Sequence, residues 1–243
     1  MTEAEWLQGG LFLEMLSYLG DEAAKRASQV PTGSMIDETR HYSRTSRKIR
    51  LLGCACARRV WGRVSNWEAK SAVEVTEKVV DSRFPPERLG EVWMAVHRYA
   101  GAYIPGFRSY WVSADIRARD YDPALAPQRL ASRVAVEEPY VWHAITSALA
   151  DPAWGGQRED FSDLARCIFG NPFRPVASGP WVTPAAVSVA QDCYDRRDFT
   201  ALPLLADLLE EAGCPEQSVL DHCRQPGEHA RGCWVVDLVL GKG

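Results

Sequence analysis

The stretch ALPLLADLLEEAGCPEQSVLDHCRQPGEHARGCWVVDLVLGKG, residues 201–243, decides the fold class. Its apolar residues recur at three- and four-residue intervals, the period of one face of an α-helix, and each periodic run closes on its own stop signal. Three helices are predicted: Ala201 to Ala212, stopped by Gly213; Pro215 to Arg224, stopped by Pro226-Gly227; and His229 to Leu240, stopped by Gly241.

Working back along the chain, the same period returns. Thr183-Pro184 reads as an N-cap followed by a first-turn proline for a helix to Tyr194, and Phe161 to Phe169 as a short helix ahead of the turn Gly170-Asn171-Pro172-Phe173-Arg174-Pro175. Pro127 to Leu149 is helical, divided at Pro139, and Pro85-Pro86 opens a helix that ends near Gly101. Trp67 to Val80 is amphipathic. Thr2 caps a first helix carrying Trp6, Leu13 and Leu16 that stops at Gly20, and residues 28–43 read as a loop. No alternating strand run of convincing length interrupts this series, so the expectation is an all-α fold, an irregular multi-helix globular bundle. Asp151-Pro152-Ala153-Trp154-Gly155-Gly156 is the best linker. It divides an N-terminal helical region, 1–150, from a C-terminal one, 158–243, packed together as one unit.

The 243 residues are 46% hydrophobic and 25% charged, enough to bury a full core. No apolar run approaches the roughly 20 residues of a membrane span, and the acidic opening Met1-Thr2-Glu3-Ala4-Glu5-Trp6 is unlike the basic start of a secretory signal. Seven cysteines, several inside apolar patterns, fit reduced buried thiols rather than a disulfide framework. A cytoplasmic protein with no membrane partner is expected.

The net charge of −4 conceals a segregation. Between Thr39 and Trp67 stand Arg40, Arg44, Arg47, Lys48, Arg50, Arg58, Arg59 and Arg63 with no acid, which leaves 20 basic against 32 acidic residues elsewhere. On a helix over 44–65, Ile49, Gly53, Cys56, Val60 and Val64 share one face, while Arg44, Arg47, Lys48, Arg58 and Arg59 gather opposite. A basic face of this kind docks a protein partner, tracks nucleic-acid phosphates, or lies against the acidic remainder of its own chain. The aromatic loop Phe107, Tyr110 and Trp111 adds a second candidate contact surface.

Several segments resemble an uncharacterised, multi-copy family of planctomycete-type bacterial proteins. They are the opening Met1-Thr2-Glu3-Ala4-Glu5-Trp6-Leu7, Arg47 to Leu51 running into Cys54-Ala55-Cys56-Ala57-Arg58-Arg59-Val60-Trp61, Ile168 to Pro175, and the tail with His222-Cys223-Arg224 and His229-Ala230-Arg231-Gly232-Cys233-Trp234. The resemblance covers both ends of the chain, is weak through residues 84–157, and implies no activity.

Two chemistries remain to be weighed. Cys214, Cys223, His229 and Cys233 have the x8, x5, x3 spacings of a CCCH zinc finger with the last two ligand types exchanged, so a structural zinc is one expectation, with His222 an alternative ligand. Simple packing is the other, because the segment carries enough apolar surface to fold unaided and free cysteine is commonly a small buried hydrophobe. Cys223 served by His229 would resemble a thiol nucleophile, and Cys54, set among arginines, a redox thiol. No nucleophile elbow, metalloprotease helix or phosphate loop is present. The expected function is a non-enzymatic helical adaptor or accessory subunit that docks a protein partner. A nucleic-acid-associated factor is the alternative, with a zinc- or thiol-dependent enzyme behind it.

Overall fold

A computed structural model of the chain describes residues 1–9, 11–28, 35–65, 67–81 and 161–242, together with isolated positions between 127 and 149. Among the described residues the helices are α1 (Glu3–Gln8), α2 (Phe12–Ser28), α3 (Met35–Arg59), α4 (Trp67–Val79), α5 (Ser162–Phe169), α6 (Pro184–Arg196), α7 (Leu202–Glu211), α8 (Gln217–Arg224) and α9 (Trp234–Val239), with a 3-10 turn at Trp61–Arg63. No strand occurs among them; the fold is all-α. The aromatic loop Phe107, Tyr110 and Trp111 lies outside the described residues, as does the 151–156 linker.

The chain forms two compact units, and their division is not the linear one expected. One consists of Met1–Met15 with Phe161–Gly243, the other of Leu16–Asp160. The N-terminal segment joins the C-terminal unit because Trp6 is fully buried there. Its indole N–H donates to the Gly170 carbonyl at 2.9 Å, while Arg166 Nε donates to the Trp6 carbonyl at 2.7 Å. Glu3 adds contacts to the same turn, accepting from Asn171 Nδ2 at 2.7 Å and pairing with Arg174 at 2.7 Å. Thr2 caps α1 reciprocally with Glu5. The first helix is shorter than its periodicity suggested: Gly9, at φ 137°, a conformation essentially reserved for glycine, ends α1 and sends the chain into α2.

In the C-terminal unit α7 packs on α6 and α8, and α9 packs on α5, α6 and α8. Leu202, Leu205, Ala206 and Leu209 of α7 meet Ala186, Ala190 and Tyr194 of α6, Val219 and Leu220 of α8, and Val235, Val236 and Val239 of α9. The cap Thr183 accepts from the Ala186 amide as its sequence position predicts. One helix start differs. His229 to Cys233 is not helical; α9 begins only at Trp234, because Gly232 at φ 94° turns the chain just before it.

In the second unit α3 packs on α4. Ile49, Cys56, Val60 and Val64 are buried as the periodicity required, and Gly53 sits so close to Val134 and Ile145 that a Cβ there would lie 2.8 Å from a Val134 methyl. The helix starts at Met35, inside the segment expected to be loop.

Candidate metal centre

Cys167 of α5, His222 of α8, and His229 and Cys233 of the turn before α9 come together in the C-terminal unit, each with a donor atom within 4.8 Å of the others. Cys167 Sγ lies 3.7 Å from His229 Nδ1, His222 Nε2 lies 3.2 Å from Cys233 Sγ, and Cys233 Sγ lies 4.0 Å from His229 Nδ1. Both sulfurs are buried and both imidazoles partly so.

Each side chain is delivered by local structure. Leu164, Ala165 and Ile168 bury the inner face of α5, and Cys167 belongs to that face. On α8 the buried residues are Val219, Leu220 and Cys223; His222 is one position before Cys223 and so about 100° round the helix, on the flank. The turn closes with the Cys233 amide donating to the Ala230 carbonyl at 2.9 Å, and Gly232 supplies the positive φ that returns Cys233 beside His229. Within this turn Arg231 lies over the Tyr194 ring at 4.4 Å, which ties it to α6.

Of the four ligands expected from spacing, His229 and Cys233 are in the cluster, and Cys214 and Cys223 are not part of it. Both belong to the hydrophobic core of the unit. Burial raises both thiols above their ordinary range, and Cys223 strongly so, which leaves little thiolate for nucleophilic chemistry. The alternative ligand His222 is present, and Cys167 was missed. Its only signal in sequence is an apolar helical context, which a buried structural thiol shares.

The two cysteines of the cluster share their protons unequally. Hydrogen bonding with Cys233, reinforced by burial, holds Cys167 well above the ordinary thiol range. Burial pushes Cys233 up as well, yet the hydrogen bonds from Cys167, His222 and His229 outweigh it and bring Cys233 well below. The proton is therefore favoured on Cys167 over Cys233. Two sulfurs and two ring nitrogens at these separations make a four-donor set suited to a transition metal. Two aromatic rings flank it: the His222 ring stands 5.0 Å from His229, edge to face, and 5.4 Å from Trp234, while Phe199 lies 6.2 Å from His229.

The basic residues expected to dock a partner fall on α3. Arg47 Nε donates to Asp81 at 2.6 Å, and Arg58 makes a bidentate pair with the buried carboxylate of Glu77, at 3.2 and 2.8 Å. Hydrogen bonding to Glu77 and its charge raise the Arg58 guanidinium despite the opposing effect of burial, which is the larger single influence. These two arginines thus meet the acidic residues of their own chain. Lys48 and Arg59 are half-buried on the same helix, and the side chain of Arg44 lies outside the described residues. Cys54 is buried.

Comparison with models of protein families, with curated proteins and with solved structures finds no match to this chain. No helix among the described residues is long and apolar enough to cross a membrane.

Proposed function

We propose that this chain is a non-enzymatic helical module, an adaptor or accessory subunit, that docks a protein partner at the corner joining α3 to α4. The observation that carries this reading is Trp67, which stands 61% exposed at the first position of α4. Six residues earlier, the Trp61 ring has the Arg58 guanidinium at 4.1 Å and the Lys70 ammonium at 5.2 Å. Tryptophan and arginine together are what interface centres enrich, since the ring offers large area at low entropic cost and the cation offers direction. A partner that presents an acidic segment with an apolar anchor has the complementary chemistry. Phosphate tracking along α3 is less favoured, because Arg47 already pairs with Asp81, just past α4, and Arg58 with Glu77 of α4.

The test pairs a surface variant with a crosslink. Trp67→Ala combined with Lys70→Glu, one exposed and one half-buried position, changes stability by about 1 kcal/mol at most, and removes the protein that photo-crosslinks to a probe placed at the exposed position 65 in extracts of the native cell. Unchanged crosslinking in the variant sinks the docking corner. Nuclease-sensitive, salt-dependent recovery of nucleic acid in place of a protein would favour the alternative factor.

A further inference from the structure

We propose that Cys167, His222, His229 and Cys233 form a tetrahedral zinc(II) site that closes the C-terminal unit around itself. Zinc holds thiolate sulfur at about 2.3 Å and imidazole nitrogen at about 2.0–2.1 Å, so tetrahedral angles set each sulfur-to-nitrogen edge near ~3.6 Å. Three of the four sulfur-to-nitrogen separations measure 3.2, 3.7 and 4.0 Å and straddle that length, and the fourth is within 4.8 Å. Small side-chain rotations would bring the two sulfurs and the two nitrogens each to their own bond length.

The donor set selects the ion. Calcium and magnesium take oxygen ligands, whereas two thiolates with two imidazoles in a compact set suit zinc. Charge agrees with burial: two thiolates neutralise the dication, so the complete site carries no net charge into the core, where an unpaired ion would be costly. Binding needs no redox step. Zinc forms two bonds to sulfur and two to nitrogen, and every proton displaced from the donors passes to solvent. With four protein donors the coordination sphere is full and no position is left for a substrate, which makes the centre structural rather than catalytic.

The site also sets the seat of the N-terminal segment. α5, which carries Cys167, ends at Gly170, whose carbonyl accepts the Trp6 indole N–H. Trp234, the neighbour of Cys233, lies so close over Gly170 that a Cβ there would be 3.0 Å from its ring. The metal would thus hold together the two surfaces between which that glycine is fitted.

The full chain, produced in zinc-supplied cells and purified without chelator, should carry one zinc by native mass spectrometry and elemental analysis. After chelator stripping, titration with cobalt(II) should saturate at one equivalent and develop the intense visible bands of tetrahedral coordination with sulfur-to-cobalt charge transfer, both bleached by zinc. Cys167→Ser and His222→Gln should lower retained zinc at least about tenfold, while Cys214→Ser retains it. A chain that lacks both stoichiometric zinc and the tetrahedral cobalt spectrum overturns the proposal. So does iron or copper as the stoichiometric metal, or zinc lost from Cys214→Ser and kept by Cys167→Ser. The cobalt titration uses the unaltered chain, so it stays decisive where a ligand variant fails to fold.

Discussion

Removing the Trp6 side chain should cost the C-terminal unit more than any other change in the first fifteen residues. The residue is 0% exposed, and its indole N–H satisfies the Gly170 carbonyl at 2.9 Å. Truncation of a fully buried tryptophan costs about 3–5 kcal/mol, the sum of lost transfer energy and the cavity left behind. Trp6→Phe separates the two contributions, because it keeps most of the apolar contact and deletes the donor. A buried carbonyl left without its partner costs about 1–3 kcal/mol, so Trp6→Phe should fall well short of Trp6→Ala. The Arg166 Nε–H bond is accepted by the backbone carbonyl of residue 6 and survives both changes. Amide hydrogen exchange is the suitable assay, since it reports α5, α7 and α9 separately and does not assume that two compact units unfold together. Both variants should lower protection in these helices. Protection within about 0.5 kcal/mol of the parent in Trp6→Ala, a change typical of inconsequential surface sites, would refute the assignment of residues 1–15 to this unit.

Three further outcomes are expected. Gly170→Ala should destabilise by about 1–3 kcal/mol in thermal or denaturant melts, because Gly170 has φ 67° and the new methyl would meet the Trp234 ring at 3.0 Å; a neutral result would mean that Trp234 moves freely aside. Glu77→Ala should cost about 1–3 kcal/mol, below the range for fully buried pairs because the Arg58 side chain is 28% exposed, and Glu77→Gln should recover part of it; equal melts for all three proteins would remove the pair as a link between α3 and α4. Zinc retention should be complete at pH 8 and lost as pH falls, because protons compete with the metal for its deprotonated donors. Retention measured by equilibrium dialysis that does not change between pH 8 and pH 5 would exclude these four ligands.

The sequence by itself determined the helical class and most of the C-terminal elements, because period and stop signals are local. Thr183-Pro184, Gly213 and Pro226-Gly227 each act within one turn, and α6, α7 and α8 begin and end beside them. It also indicated that chemistry gathers in the tail, where His229 and Cys233 stand four residues apart. It assumed a helix there, whereas Gly232 makes a turn, and this brings the two side chains to one point as a helix would have done. The exchange of Cys223 for His222 was within reach: Val219, Leu220 and Cys223 form the inner stripe of α8, so the cysteine faces the core and its neighbour faces the cluster.

Only the tertiary structure decided the rest. Cys167 enters the cluster because α9 packs on α5, a contact between distant segments for which neither carries a local mark. Met1–Met15 joins the C-terminal unit for the same reason, since the carbonyl that receives the Trp6 indole belongs to a turn at residue 170. The basic stripe of α3 was legible as a pattern, but which charges it meets was not: Asp81 and Glu77 reach Arg47 and Arg58 only because α4 folds back along α3. Periodicity is written in the nearest few residues, while ligand sets and ion pairs depend on which helix faces return to one another, and that is settled by the burial of the whole core.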